Sequence, residues 1–424
     1  MQFYVERVYS TKIKYLVVNL ISKMNTKNSL IVIFSFVFSF VFCQEKTNEK
    51  EPNTVDFKTY FEKMERSNLA QEYRGIETDA GRETNLFSIK PTGISTESIQ
   101  NAAIIFLKSL NPEQKNRTTF PIEDKEWRMW SNVDNGIYKR QGVSIKEMDE
   151  NQRKLAFDLM QVSLSIKGLK LSKDIMKTDQ TLREYNNDDP AYDEELYYFT
   201  ILGEPSETEP WGWQIDGHHL VINYFLLGDL VVMSPVFMGG EPIITTTGKY
   251  KGNTLFQDEQ NLGLAFMQTL NKAQQDKATL NPNKNHNDLK ASASKDNITL
   301  NYSGIAYSEL TGEQQEALIH LAEQYINNLK EGHSQVKMEE IKSHLDDTWF
   351  AWVGNITADA VFYYRIHSPV VLIEFDHQGI VGMPKNGYDG PSRQHIHTMV
   401  RTPNGNDYGK DLLRQHKEIH HHEN

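Results

Sequence analysis

The chain has one cysteine, Cys43, in 424 residues. Structural disulfides, thiolate zinc sites and thiol catalysis are thereby excluded from everything beyond it. No glycine-rich phosphate loop, nucleophile elbow or zinc-finger spacing occurs, which argues against the commonest nucleotide-dependent and serine-hydrolase chemistries. Basic residues are in deficit: 45 Lys and Arg face 57 Asp and Glu, a formal charge of −12. Without a basic stripe nothing neutralises a phosphate backbone, so no nucleic-acid partner is expected. Long apolar runs are also scarce. The one present, Ser29 to Cys43, is too short to span a bilayer comfortably. What is there is ordinary for a folded chain, with 38% hydrophobic and 24% charged residues.

That apolar run reads as the central region of a secretory signal. Lys23 and Lys27 form its charged lead-in, Gln44-Glu45-Lys46-Thr47 its polar exit, and Met24 is placed to be the true start. Cleavage is expected near Cys43 or Gln44, giving an exported protein, periplasmic or extracellular, with no integral membrane span. Lipid attachment at Cys43 ranks below plain cleavage, because Phe42 stands where a small residue is wanted. Residues 1–44 hold five basic residues and one acid, so 40 basic residues face 56 acidic ones afterwards. The rest divides into a tether (45–56), a first half (57–270), a polar loop (271–296), a second half (297–417) and a His-rich tail (418–424).

Internal similarity supports the two halves. Tyr198 to Tyr224 aligns without a gap with Trp349 to Phe375, with identities at Phe199/Phe350, Gly203/Gly354, Ile215/Ile366 and Ile222/Ile373. Aromatics pair at Tyr198/Trp349, Trp211/Phe362, Trp213/Tyr364 and Tyr224/Phe375. Each copy reads as a strand, a loop and a hairpin, with Gly217 supplying a positive φ at the first hairpin's turn. Asp149-Glu-Asn-Gln152 and Thr311-Gly-Glu-Gln314 read as capping boxes that open helices, and Asn111-Pro-Glu-Gln114 repeats the pattern. Helices mixed with consecutive antiparallel strands predict an α+β fold of hairpins and capped helices, built as an internal pseudo-repeat. All six tryptophans fall in pairs: Trp127/Trp130, Trp211/Trp213 and Trp349/Trp352. They are either core packing or, for Trp211 and Trp213 with His218, the lining of a ligand cleft.

Ten of the fourteen histidines are His218, His219 or lie at His367 and beyond. His395 and His397 are two apart, so on a strand both project to one face. Glu374 and Asp376 share a face of the preceding strand. If these strands pair with their faces aligned, two imidazoles meet two carboxylates, a common shell for Zn, Fe, Mn or Cu. His219 could add a ligand from the first half. The metal set is then His395, His397, Asp376 and His219. Glu374, Asp376 and Arg401 are the catalytic candidates, with Arg401 orienting an anionic substrate group. A metal-free alternative uses Glu374 or Asp376 as general base beside a histidine acid. Asn404-Gly405-Asn406-Asp407 reads as a turn that could also present backbone N–H groups and Arg401 to an anionic ligand, with Asn404 and Asp407 as ligand-binding candidates. The leading expectation is a metal-dependent enzyme, a hydrolase before a redox enzyme, acting on a small molecule. The competing one is a non-catalytic exported binding protein with an aromatic-lined cleft.

Pro210-Trp-Gly-Trp-Gln-Ile-Asp-Gly-His-His219, Ile373-Glu-Phe-Asp376 and His395-Ile-His397-Thr-Met-Val-Arg-Thr-Pro-Asn-Gly-Asn-Asp-Tyr-Gly409 resemble the bacterial domain-of-unknown-function 3500 family. Trp130-Ser-Asn-Val133 with Asn151-Gln-Arg153 is similar to it as well, and the resemblance runs from about residue 60 to 417. It implies an exported bacterial protein of one architecture and transfers no catalytic assignment.

Overall fold

The computed structural model describes residues 56–421. The signal region and nearly all of the tether lie outside them. No helix among the described residues is long and apolar enough to cross a membrane.

In chain order the first half comprises α1 (Phe57–Leu69), β1 (Ile76–Glu77), α2 (Glu97–Ser109), α3 (Pro112–Thr118), β2 (Thr119–Phe120), β3 (Val143–Ser144), α4 (Glu150–Ser163) and α5 (Ile166–Tyr185). It ends in a four-strand meander, β4 (Tyr198–Leu202), β5 (Trp211–Gly217), β6 (Leu220–Leu227) and β7 (Leu230–Gly240). The chain continues with α6 (Gln257–Thr269), α7 (Lys272–Ala278), β8 (Thr279–Asn281), β9 (Ile298–Thr299), β10 (Ile305–Ala306), α8 (Gly312–Ile326) and α9 (His333–Lys342). A second meander follows, β11 (Trp349–Gly354), β12 (Phe362–His367), β13 (Leu372–Gly379) and β14 (Pro391–Arg401), then α10 (Lys410–His421). The class is α+β, as expected. The two meanders join edge to edge where β7 pairs antiparallel with β14, making one sheet in the order β10-β11-β12-β13-β14-β7-β6-β5-β4-β2.

Both meanders are approached through the same series of elements. α3 and α7 each run into a short strand, β2 and β8, parallel to the meander's first strand. β3 and β10 then add antiparallel to that strand. The capping boxes form: Asp149 accepts from Gln152 N, Thr311 from Gln314 N, and each glutamine returns to the cap's own N–H. Two orphan N–H groups per helix start are satisfied this way. The same glutamines bond those of the preceding short helices, Gln152 to Gln114 at 2.9 Å and Gln274 to Gln314 at 3.0 Å.

The sheet is covered on both sides, so β5 and β6 are buried along their whole length and read as near-continuous apolar runs. On one side Tyr364 donates to the Glu259 carbonyl of α6, and His377 bonds Gln260. Five of the six tryptophans are buried in the core, and Trp349 is half-buried. Trp211 and Trp213 are 1% and 0% exposed, and Trp213 stacks on Tyr224 with centroids 5.2 Å apart. In the other meander the equivalent Tyr364 stacks on Phe375 at 5.0 Å. The expected cleft lined by Trp211 and Trp213 is therefore corrected: burying flat rings between sheet and helices removes them from any ligand.

Two local expectations are also revised. Gly217 does not take the positive φ at the β5–β6 turn; His219 does, at 61°. Gly217 is required because a Cβ there would lie 2.1 Å from the Tyr197 ring. The segment 271–296 is not a plain loop. Asn271 caps α7 through a box with Gln274, β8 follows, and the rest folds over β13 as a strap.

Candidate metal centre

Three histidines from three places in the chain meet at one end of the β7–β14 seam. His395 and His397 lie on β14, alternating with Ile396 and Thr398, so their rings share a face. His219 sits in the two-residue turn between β5 and β6, in the left-handed conformation that turns its ring toward them. Its carbonyl accepts from Gly239 N at 2.8 Å, tying the turn to β7. Gly239 pairs with His397, and a Cβ on it would come within 2.9 Å of that ring. The glycine therefore leaves room for the imidazole.

The Nε2 atoms converge. His395 Nε2 is 2.9 Å from His397 Nε2 and 3.3 Å from His219 Nε2. One ligating atom from each ring lies within 4.8 Å of the others, the only such group among the described residues. Tetrahedral zinc with N ligands at 2.0–2.1 Å needs nitrogens about 3.3–3.4 Å apart, so small ring shifts would admit an ion. All three imidazoles are 3–8% exposed, with His397 the most open. Burial first, and then the neighbouring rings, hold His219 and His397 well below the usual histidine range. Burial also lowers His395, against the pull of Glu241. The rings are thus neutral near pH 7 and offer lone pairs.

Protons alone do not satisfy this arrangement. His395 Nδ1 donates to the Gly379 carbonyl at 2.7 Å, which leaves its Nε2 as an acceptor. That single lone pair faces two other Nε2 atoms. His219 Nδ1 is buried with no hydrogen-bond partner among the described residues. A cation at the centre would satisfy all three Nε2 lone pairs at once, so the residues present fit a metal.

Outer contacts hold the ligands. Glu241 is buried, its Oε2 3.4 Å from His395 Nδ1. The same carboxylate accepts from the N–H groups of Val381, Gly382 and Met383 at 2.9–3.1 Å, linking the loop after β13 to the histidine. His218 points the other way, to Asp179, and stacks on His219 with centroids 3.9 Å apart. Burial opposes protonation of His218, but Asp179 outweighs it and raises the group above its ordinary value. Neither Glu241 nor Asp179 was singled out in the sequence. The only signal for the former was its position after Gly239-Gly240 at the end of a strand.

The remaining candidates have other partners. Asp376 pairs across the strands with His397, yet its carboxylate is taken by Lys284 Nζ at 2.8 Å, the Asp288 N–H at 2.8 Å and Gln378. Burial pushes it up to about 7 in spite of Lys284. Glu374 stands opposite Met399 and accepts from Lys290 N, Ala291 N and Tyr363 Oη at 2.6–2.9 Å. Arg401 is fully buried over Trp130, its guanidinium spent on Asp296, Asp407 and the carbonyls of Ala291 and Ser292. It cannot orient a substrate. Asp407 also accepts from Thr402 N, and Asn404 bonds the Pro369 carbonyl, so both serve the turn. The expected mixture of imidazoles and carboxylates is instead a group of three imidazoles, because the carboxylates are needed to hold the strap.

The family model described as "Protein of unknown function (DUF3500)" matches residues 92–410. No curated protein and no solved structure matches the chain.

Proposed function

The chain belongs to the DUF3500 family, and from that premise and the site's geometry we propose a metal-dependent enzyme, a hydrolase of a small molecule, centred on His219, His395 and His397. The observation that carries this reading is the convergence of three buried Nε2 atoms on the single lone pair of His395, with His219 Nδ1 left without a partner among the described residues. Three nitrogen ligands favour zinc or copper over magnesium, calcium or manganese. His219, His395 and His397 would hold such an ion as neutral ligands, and its undiminished charge would supply Lewis-acid chemistry toward a substrate oxygen or a water.

The chain's own residues do the rest. His219 supplies the ligand that bridges the halves, so the site exists only when both meanders are joined. Glu241 and the Gly379 carbonyl set the tautomer and orientation of His395. The matching series of elements in the two halves supports an internal duplication in which only one end of the seam acquired the histidines. Export after cleavage near Cys43 or Gln44 belongs to the same proposal. A purely structural ion is the second reading, favoured by the burial of all three rings.

Cobalt(II) titration tests the proposal. One equivalent should bind with the strong visible absorption of a low-coordinate nitrogen site, and added small anions should change that spectrum if a coordination position is open. A spectrum indifferent to anions supports the structural ion. Absence of any saturable cobalt band contradicts both readings. Copper or iron recovered from the native protein would redirect activity screens from hydrolysis to redox chemistry.

A further inference from the structure

On the opposite face of the same seam lies a cavity independent of the histidines. Thr398 and Val400, which alternate with His397 on β14, form part of its floor, with Val236 and Met238 of β7 beside them. Ile326 and Leu329, at the junction of α8 and α9, close it from above. We propose that this seam binds a slim aliphatic molecule ending in a neutral hydroxyl or amide group.

Shape limits the ligand first. The cavity opens to solvent on one side, and its volume is about 50 Å³. That is about a third of the roughly 150 Å³ that takes up a benzene ring, so the slot suits an alkyl chain reaching in from the open side rather than a compact ring system. Its lining is mostly aliphatic, which rewards burial of methylenes. Of the polar side chains in that lining, only Asn328 has a buried acceptor without a partner among the described residues. Asn328 is 4% exposed, its Oδ1 has no hydrogen-bond partner among the described residues, and its Nδ2 reaches only the Met238 sulfur at 3.9 Å. A buried amide left this way is costly unless something in the slot supplies a donor. A hydroxyl or amide N–H on the ligand does so. Charge at the rim is already balanced, because Lys337 is paired with Glu340 at 2.6 Å and also donates to the Val370 carbonyl. A neutral head group therefore fits better than a carboxylate or phosphate.

The test uses the full chain and primary alkanols from hexanol to decanol, followed by calorimetry. Affinity should rise about fourfold per methylene until the slot is full. 1-Octanol should bind at least about tenfold more tightly than heptyl methyl ether, which has as many heavy atoms but no donor. In Asn328→Leu that preference should vanish while the ether still binds. No saturable binding to the native chain, or an octanol preference that survives Asn328→Leu, would overturn the proposal. A second measurement needs no variant: crystals soaked in 8-bromo-1-octanol should show bromine in the slot, and bromine bound only elsewhere would overturn it equally.

Discussion

Replacing Glu374 by Ala should unfold the strap rather than abolish a chemical step. Glu374 is fully buried, and its carboxylate receives three hydrogen bonds, from Lys290 N at 2.8 Å, Ala291 N at 2.9 Å and Tyr363 Oη at 2.6 Å. Truncation leaves all three donors without an acceptor, at about 1–3 kcal/mol each. Water entering the cavity would recover part of this, so a loss of about 3–5 kcal/mol is expected, a large share of a typical folding stability. Glu374→Gln keeps the shape and one carbonyl oxygen, which can still serve Lys290 N and Tyr363 Oη. Its amide nitrogen then opposes the Ala291 N–H, and about 1–3 kcal/mol should be lost. Equilibrium unfolding in urea measures both, and hydrogen exchange locates the effect. The amides of Lys290 and Ala291 should exchange faster in both variants, while metal content stays stoichiometric in Glu374→Gln. An Ala variant within about 0.5 kcal/mol of the native chain would refute the assignment. So would a Gln variant of native stability that has lost activity, which would return Glu374 to the role of general base.

Other predictions follow from the same buried polar groups. Burial, then Asp216, Asp124 and Glu65, pushes Glu126 up to about 9. The folded chain therefore keeps a proton that the unfolded chain releases in the ordinary carboxyl range, and stability falls as pH rises from there toward 9. Glu126→Gln should be more stable than the native chain at pH 8, by on the order of 2–4 kcal/mol, and nearly equal to it at pH 4; an equal gain at both pH values would contradict this. Arg401→Lys should cost about 3–5 kcal/mol in denaturant unfolding, since an ammonium cannot reach two carboxylates and two carbonyls in a fully buried site. A loss below about 1 kcal/mol would show that the knot is dispensable. Glu241→Gln should lower metal affinity about 10- to 100-fold in a chelator competition and speed amide exchange at Val381, Gly382 and Met383. If neither changes, the link between that loop and His395 is not functional.

Local patterns in the sequence carried the elements well. The capping boxes at Asp149 and Thr311, the 211–224 hairpin and the shared face of His395 and His397 follow from short-range geometry, and each is present. The shared face of His395 and His397 was within reach because it needs only strand alternation, whereas the arrival of His219 depends on the pairing of β7 with β14. The joining of β7 to β14 was not visible, since it is a pairing of residues about 160 apart in the chain. The strap was misread for a physical reason. Its polar composition resembles a solvated loop, but the groups that matter are its backbone N–H donors, and those leave no trace in side-chain composition. The carboxylates of β13 were assigned to the histidines for the same reason, because their true partners could not be seen. Glu241 lay hidden because a carboxylate at the end of a strand is common and only its tertiary contacts distinguish it.

The most direct test of the central claim is elemental analysis of the native chain, purified without an affinity tag and with His420, His421 and His422 replaced by Ala so that the tail cannot contribute metal. The account predicts close to one zinc, copper or iron per chain, lost in the His395→Ala/His397→Ala variant while that variant remains folded. A folded native protein that holds no metal, and takes none up on reconstitution, would contradict it.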